Sequence, residues 1–293
     1  MPPRIPNALT IAGVDPSGGA GVLADVKTFS ALGAYACAVI TALTAQNTQA
    51  VTGVLPIAPE FVARQLDTLF ADVRIDALKI GMLGEAAVVF TVADRLMHWK
   101  AERIVLDPVM VAKSGDALLA KAAVGALREA LVPLANVITP NLPEAGVLLE
   151  SRAPDSVKEM TRAAERLHAL MGNGERWVWL KGGHLPGRDA TDLLFNGDKM
   201  IELSQPRVDT KNTHGTGCTL SAALAALLPQ RADVPSASRD AKNWLTQALR
   251  DADKLQVGAG HGPVHHFHAL WSASEVGPDG AKAPFDRAGH KRR

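Results

Sequence analysis

The segment ALTIAGVDPSGGAGVLADVKTF, residues 8–29, contains an apolar run, a glycine-rich loop and then apolar residues at helical spacing. This order predicts a strand, a loop and a helix. Open α/β sheets bind their ligands at such loops, where a strand ends and a helix begins. The loop matches neither GxGxxG nor GxxxxGK[ST]. Taken alone, it therefore leaves a tight structural turn and a ligand-binding loop equally open.

The rest of the chain repeats this alternation of apolar runs with helix-period segments. Strands are predicted at residues 8–12, 34–42, 77–83, 104–110, 137–139 and 177–180, and helices at 22–32, 62–69, 88–96, 124–131, 220–228 and 236–255. The turn Asn196-Gly197-Asp198 between two apolar runs predicts an antiparallel hairpin. The pattern therefore predicts an α/β fold with a central, mainly parallel sheet flanked by helices and an antiparallel edge hairpin. We expect one domain over residues 1–271 and a polar Gly/Pro/charged tail over 272–293.

Composition and charge narrow the class of protein. The 293 residues include 31 Lys+Arg and 30 Asp+Glu, for a formal net charge of +1. A protein that binds nucleic acid or an anionic membrane usually carries clustered excess basic charge, so we expect neither partner. The 2 cysteines exclude a disulfide scaffold. No apolar run reaches the roughly 18 residues of a membrane span, and the N-terminus fits no signal peptide, so a cytoplasmic protein is expected.

A second glycine-rich loop, KNTHGTGCT at residues 211–219, leads directly into an Ala/Leu-rich helix. Small residues let successive backbone N–H groups converge on an anion, and the helix dipole adds positive potential. The same field is expected to lower the pKa of the Cys218 thiol. Alternatively, Thr216 or Thr219 only caps the helix and Cys218 fills space.

Two strand ends carry further polar residues. In ITPNLPE, Asn141 and Glu144 lie three residues apart at a helix start, where they can hold Mg²⁺ through waters or form a capping box. The capping interpretation is favoured from these residues alone. Lys181 in LKGGH faces phosphates or is a surface charge. Asp25, amid apolar neighbours, is more often a solvated or capping acid than a ligand.

Together these stretches resemble one family, the hydroxymethylpyrimidine and phosphomethylpyrimidine kinases of thiamine biosynthesis, within the ribokinase-like superfamily. The resemblance is carried, in the family's order, by LTIAGVDPSGGAGVLADVKTFSALGAYACAVITALTAQNT, ALKIGML, DPVMVAKSGD, ITPNLPEA, LKGGH, NTHGTGCTLSAALAALL and GPVHHFHALW. It extends from about residue 8 to residue 271 and so covers almost the whole chain.

The resemblance implies two ATP-dependent phosphorylations: first of the hydroxymethyl group of 4-amino-5-hydroxymethyl-2-methylpyrimidine, then of the resulting monophosphate. It implies pyrimidine contacts from Gly13, Asp25, Gln46 and Met82; nucleotide contacts from Asp107, Asn141, Lys181, Thr213 and Lys242; and Mg²⁺ support from Asn141 and Glu144. A carboxylate and an amide suit a ring that carries an amino group and ring nitrogens. A homodimer is also implied.

The catalytic set implied by the resemblance is Cys218 with the anion-binding amides of Gly215, Thr216 and Gly217. Ribokinase-like sugar kinases have an aspartate base where this chain has Cys218, and the pyrimidine kinases share the cysteine. Whether the thiolate removes the hydroxyl proton is a hypothesis. Lys113, in the AKSGD stretch, is the candidate for screening the charge of the monophosphate in the second step. Pyridoxal-type kinase activity and a non-catalytic ligand-binding protein are the alternative functions.

Overall fold

A computed structural model describes residues 4–110 and 121–271, and its nine strands form one sheet in the order β3-β2-β1-β4-β5-β6-β7-β8-β9. The strands are β1 (Asn7–Val14), β2 (Tyr35–Gln46), β3 (Val51–Pro56), β4 (Ala77–Ile80), β5 (Ile104–Leu106), β6 (Val137–Ile138), β7 (Trp177–Leu180), β8 (Asp189–Phe195) and β9 (Met200–Pro206).

The six strands from β2 to β7 in this order are parallel, whereas β3, β8 and β9 are antiparallel to their neighbours. The predicted parallel sheet and its β8–β9 hairpin are therefore confirmed. Because all six parallel strands run the same way, their carboxyl ends meet at one edge of the sheet. The chain passes from β1 outward to β2 and then returns to β4, so the strand order switches direction beside β1.

Within residues 4–110 and 121–271, eight α-helices cover the two faces of the sheet. They are α1 (Gly21–Ala31), α2 (Pro59–Phe70), α3 (Ala86–His98), α4 (Lys121–Ala126), α5 (Leu142–Leu148), α6 (Val157–Met171), α7 (Thr216–Leu227) and α8 (Val234–Arg250), and a π-helical turn (Leu127–Leu131) follows α4. Alternate strand residues supply two cores: Ile104 and Leu106 of β5 pack with the helices from α2 to α6, whereas Val105 packs with α1, α7 and α8. This is the alternation expected for a sheet buried on both faces.

Helix α7 is the most deeply buried helix on its face. Its residues from Thr219 to Leu227 are all buried, which is typical of a helix that is apolar on every side and enclosed by the protein. The alanines let α1 and α8 pack closely against it. The first turn of α7 is consequently held rigidly at the carboxyl edge of the sheet.

Three elements differ from the sequence predictions. Strand β3 is not predicted, because its residues are exposed and its sequence contains Gly53 and Pro56. Helix α6 is also missed, although Met160, Ala163, Ala164, Leu167 and Met171 line its buried side; the small alanines weaken that stripe. Helix α7 begins at Thr216, one turn before the predicted start near residue 220. No helix in the described parts of the chain is long and apolar enough to span a membrane.

Phe29 tests the packing of α1 on α7, because its side chain is completely buried. We expect Phe29→Ala to lower the free energy of unfolding by about 3–5 kcal/mol, since it leaves a cavity in a close-packed core. Phe90→Ala is the matched control, because Phe90 is 50% exposed, and it should change the stability by less than about 1 kcal/mol. Chemical denaturation followed by circular dichroism measures both; equal losses would contradict this packing.

Candidate active site

The loops that follow the parallel strands enclose a cavity of about 500 Å³. Its wall includes Gly13 near the end of β1, Gln46 of β2, Met82 after β4, Asp107 after β5, Asn141 and Glu144 after β6, Lys181 after β7, and the 213–218 segment that leads into α7. Residues far apart in sequence thus meet at the sheet edge where open α/β folds bind ligands. We call this the first cavity.

A second cavity of about 370 Å³ adjoins the first. The two share Asn141, Lys181, His184, Thr213, Thr216 and Gly217. The second cavity also has the apolar side chains of Leu220, Leu245 and Leu249, and Lys242, whose Nζ lies 2.6 Å from Asp192 Oδ2. The first turn of α7 therefore lies between the first cavity and a smaller, partly apolar one.

The 215–218 segment has the geometry of an anion-binding loop. Gly215 is the N-cap of α7 with φ of 72°, and no side chain caps this helix. A Cβ at Gly215 would overlap the carbonyl oxygen of Gly19, so both the left-handed conformation and the contact require glycine. By helix geometry the first-turn amides have no intrahelical acceptor; the Thr216 N–H donates a long hydrogen bond to the Thr213 carbonyl (3.4 Å). Thr216 and Gly217 line both cavities, and Gly215 and Cys218 line the first. The alternative in which a threonine caps the helix is not observed, because Thr219 Oγ1 instead lies 3.1 Å from His266 Nε2.

Asp107 connects the strand ends beneath this loop. Its Oδ1 accepts hydrogen bonds from Lys181 Nζ (2.9 Å) and Thr139 Oγ1 (3.1 Å), and its Oδ2 accepts one from Ser221 Oγ (3.2 Å). Burial opposes its ionisation, but Lys181 and Lys79 outweigh it and hold the pKa of Asp107 below the usual value. Lys181 is thus a largely covered, ion-paired cation, with 13% of its side chain exposed, and not a freely solvated surface charge.

Asn141 and Glu144 form the capping box at the start of α5. Asn141 Oδ1 accepts from the Glu144 N–H (2.9 Å), and Glu144 Oε2 accepts from the Asn141 N–H (2.8 Å). Burial raises the pKa of Glu144 to about 7. The Lys181 ammonium, 4.0 Å away, opposes this increase, and the Asp107 carboxylate adds to it.

In the described residues no three acidic, histidine or cysteine side chains cluster as metal ligands. The donor set fits Mg²⁺ held mainly through waters and substrate oxygens, as this ion prefers.

Asp25 is not in the wall of the first cavity, in contrast to the predicted pyrimidine contact. Its side chain is fully buried. Both carboxylate oxygens accept hydrogen bonds from Lys79 Nζ (3.0 and 2.8 Å), and one accepts another from Thr10 Oγ1 (2.6 Å). The pyrimidine contact stays a prediction. The expectation of a solvated or capping acid is wrong, because α1 has no acidic residue in its first turn and Asp25 faces the sheet.

Lys79 is the residue that the sequence reasoning missed. It lies in β4, where all four residues are buried, and it borders the first cavity. Burial disfavours its charge, but Asp25, Cys218 and Asp107 together raise the pKa of Lys79. The sequence does contain a signal for it, a lysine inside the apolar run ALKI. A lysine buried within a strand indicates a buried acid as its partner. The cavity therefore contains a second ammonium group besides that of Lys181.

The predicted lowering of the Cys218 pKa is wrong. Burial raises the pKa of the Cys218 thiol to about 11, and Asp25 and Asp107 contribute in the same direction. Lys79 and a hydrogen bond from the Gly21 backbone lower it, but by less. Desolvation therefore outweighs the helix terminus, and the resting site holds a protonated thiol at neutral pH.

The remaining predicted substrate contacts border the first cavity. A Cβ at Gly13 would lie 2.5 Å from Met82 Cε, so glycine there is what allows Met82 to approach. Gln46, at the end of β2, is half-buried, and its Oε1 accepts a hydrogen bond from Thr44 Oγ1 (3.2 Å). Lys113 lies outside the described residues, and the charge-screening role remains a prediction.

The fold and the geometry of this site are those of a ribokinase-like kinase. The phosphomethylpyrimidine kinase family matches residues 15–265, and the chain belongs to that family. A hydroxymethylpyrimidine/phosphomethylpyrimidine kinase of Escherichia coli is 56% identical over 265 residues, which cover 90% of this chain and 98% of that protein.

Two solved structures show the same fold. The ADP complex of Bacillus subtilis pyridoxal kinase has a TM-score of 0.83 and 36% identity, and covers 91% of this chain and 99% of its own. Staphylococcus aureus pyridoxal kinase in complex with AMP-PCP and pyridoxal has a TM-score of 0.82 and 30% identity, with 92% and 96% coverage.

The pKa of Cys218 predicts how its alkylation depends on pH. In a Cys37→Ala variant, the iodoacetamide reaction rate of Cys218 should rise about tenfold per pH unit from about pH 6 to pH 9, because only the thiolate reacts. Mass spectrometry of the modified peptide follows the reaction, and a Cys37→Ala/Cys218→Ala variant gives the background. A rate that reaches a plateau below about pH 8 would show a lowered pKa instead.

Proposed function

We propose that this protein is an ATP-dependent kinase that phosphorylates 4-amino-5-hydroxymethyl-2-methylpyrimidine and then its monophosphate, giving the diphosphate used to make thiamine diphosphate. The observation that carries this proposal is the placement of the uncapped α7 N-terminus between two cavities. The first cavity is the acceptor site and the second is the nucleotide site. The names of the relatives at 56% and 50% identity give the substrate class.

Each part of the site then has a task in phosphoryl transfer. Gln46 holds the polar edge of the pyrimidine ring, and Met82 packs on its apolar face. The amides of Gly215, Thr216 and Gly217 stabilise negative charge on the transferred group, assisted by the Lys181 ammonium. On the nucleotide side, Thr213 and Lys242 border the second cavity. Transfer through a loose transition state depends mainly on this positioning and charge neutralisation.

Mg²⁺ is part of the proposal, with Asn141 and Glu144 as the residues that hold it, through waters. Bound Mg²⁺ would neutralise phosphate oxygens and orient them. Glu144, whose pKa of about 7 reflects burial, would be held in its ionised form beside a cation. Glu144→Gln should therefore raise the Mg²⁺ concentration required for half-maximal activity; an unchanged requirement would remove Glu144 from this role.

Pyridoxal kinase activity is the second candidate, favoured by the pyridoxal kinases with the same fold. A pyridine with a hydroxymethyl group would occupy the same cavity. A non-catalytic ligand-binding protein is disfavoured, because the buried Lys181 and the uncapped loop border a second cavity that ligand sensing does not need.

Release of ADP with each acceptor separates these functions. We expect turnover with the hydroxymethylpyrimidine and with its monophosphate, and a kcat/KM for pyridoxal at least about tenfold lower, equivalent to about 1.4 kcal/mol of transition-state discrimination. ATP without an acceptor is the control. A higher kcat/KM for pyridoxal would make the protein a vitamin B6 kinase, and ADP release only at the control rate with every acceptor would reject the kinase function.

We further propose that Cys218 takes up the hydroxyl proton during transfer, although its thiol is protonated at rest. The nearby Lys79 ammonium, which already lowers the Cys218 pKa, would have to favour the thiolate, and the thiol would have to release its own proton to solvent before transfer. If this role is correct, Cys218→Ala should lower kcat at saturating substrates by about a hundredfold, the usual scale of general-base catalysis, and Cys218→Asp should restore part of it. Cys37→Ala, the other free cysteine, is the matched control. Wild-type turnover in Cys218→Ala would reject the base role.

A homodimer in the cytoplasm completes the proposal. Tyr35, Leu43, Val54 and Leu55 are exposed on β2 and the edge strand β3, where pairing with a second copy would cover them. Sedimentation equilibrium tests this: Val54→Lys/Leu55→Lys should yield a monomer if this hairpin is the interface. A wild-type monomer at micromolar concentration would contradict the dimer.

A further inference from the structure

Asp15 and His214 form a buried contact between the two glycine-rich loops. His214 Nε2 lies 2.7 Å from Asp15 Oδ2, across 199 positions of sequence. Their side chains are only 8% and 3% exposed, and both residues border the first cavity. A carboxylate can only accept hydrogen bonds, so Nε2 carries the proton in this contact.

Asp15 also organises its own loop. Its Oδ1 accepts a hydrogen bond from the Ser17 N–H (2.9 Å) and its Oδ2 one from the Ala20 N–H (2.9 Å). Although burial opposes ionisation, hydrogen bonds from His214 and Ser17 lower the pKa of Asp15. Ala20, the N-cap of α1, borders the first cavity. One carboxylate thus sets the shape of the 15–21 loop, which forms the acceptor side of the site.

His214 is attached on the other side of the contact. Its backbone N–H donates to the Gly262 carbonyl (3.0 Å), and the next residue, Gly215, begins the anion-binding loop. The ring packs so closely on Gly19 that a Cβ there would overlap His214 Cδ2, just as a Cβ at Gly215 would overlap the Gly19 carbonyl. The acceptor loop and the anion loop therefore touch at two glycines, with the Asp15–His214 hydrogen bond beside them.

We propose that Asp15 and His214 are positioning residues whose hydrogen bond holds the acceptor loop in register with the anion loop. The phosphoryl group must pass from the second cavity to a hydroxyl in the first, and the 215–218 amides lie between them. Displacement by about 1 Å is enough to lower the rate of such a transfer by about a hundredfold. Neither side chain needs to take a proton from the substrate. This inference concerns the kinase reaction but does not depend on which acceptor is used.

The test is a comparison of kcat with nucleotide affinity in Asp15→Asn and His214→Phe, which keep the shapes of the side chains and remove the ionic hydrogen bond. We expect kcat at saturating substrates to fall by about tenfold to a hundredfold. The dissociation constant of AMP-PCP should change by less than about threefold, because neither residue borders the second cavity. The double variant should be no slower than the slower single variant, since both changes remove the same contact.

His214→Gln is the conservative variant, because its amide places an N–H near the position of Nε2, and it should recover part of kcat. Asp76→Asn is the matched control: Asp76 Oδ2 accepts from the Asn7 N–H (2.8 Å) and pairs with Arg74 at the amino end of β1, away from both cavities. It should keep wild-type kcat.

Circular dichroism and thermal unfolding report whether each variant folds. Folded single variants with wild-type kcat, or losses that add in the double variant, would overturn the proposal. A parallel loss of AMP-PCP affinity would overturn it as well, because the pair would then act on nucleotide binding. If His214→Phe does not fold, Asp15→Asn and His214→Gln decide the comparison; failure of all three to fold would make the pair a stability element and reject a positioning role.

Discussion

Asp107 and Lys181 form the ion pair on which both cavities depend, with 2.9 Å between Oδ1 and Nζ. The pair joins the ends of β5 and β7, and Thr139 after β6 and Ser221 of α7 bind the same carboxylate. Removing one member of a buried pair leaves an uncompensated charge and costs several kcal/mol. The pair therefore links the sheet edge, the first turns of α7 and the boundary between the two cavities.

A second buried pair, Lys79 with Asp25, supports the opposite wall of the first cavity. The two pairs contribute the ammonium groups of Lys79 and Lys181 to a site that also contains the Cys218 thiol and from which much water is excluded. Such an environment strengthens electrostatic interactions with a transferred phosphoryl group. The same exclusion of water keeps the thiol protonated at rest. Because each ammonium is paired with a carboxylate, the uncompensated positive potential at this place comes from the N-terminus of α7, which a near-neutral protein can supply without an excess of basic residues.

The sequence predicted the elements whose signals are local. The β1–loop–α1 unit, the apolar strands of a mainly parallel sheet and the β8–β9 hairpin all have short-range patterns, and the structure contains them. The exposed strand β3 has no such pattern, because its stability comes from pairing with β2 rather than from its own apolar face. Whether Asn141 and Glu144 form a capping box or hold Mg²⁺ through waters also depends on their surroundings. The structure shows that they form the capping box.

By itself the sequence determined the fold class, the family and the loops that border the cavities, because glycines, strand ends and helix starts are properties of neighbouring residues. Only the tertiary structure decided which charged side chains meet beside those loops. Asp25 and Lys79 are 54 positions apart and Asp15 and His214 are 199 apart, so no local pattern pairs them. The Cys218 pKa was predicted in the wrong direction for the same reason. Desolvation and the carboxylates of other strands determine it, and both arise only when the chain folds.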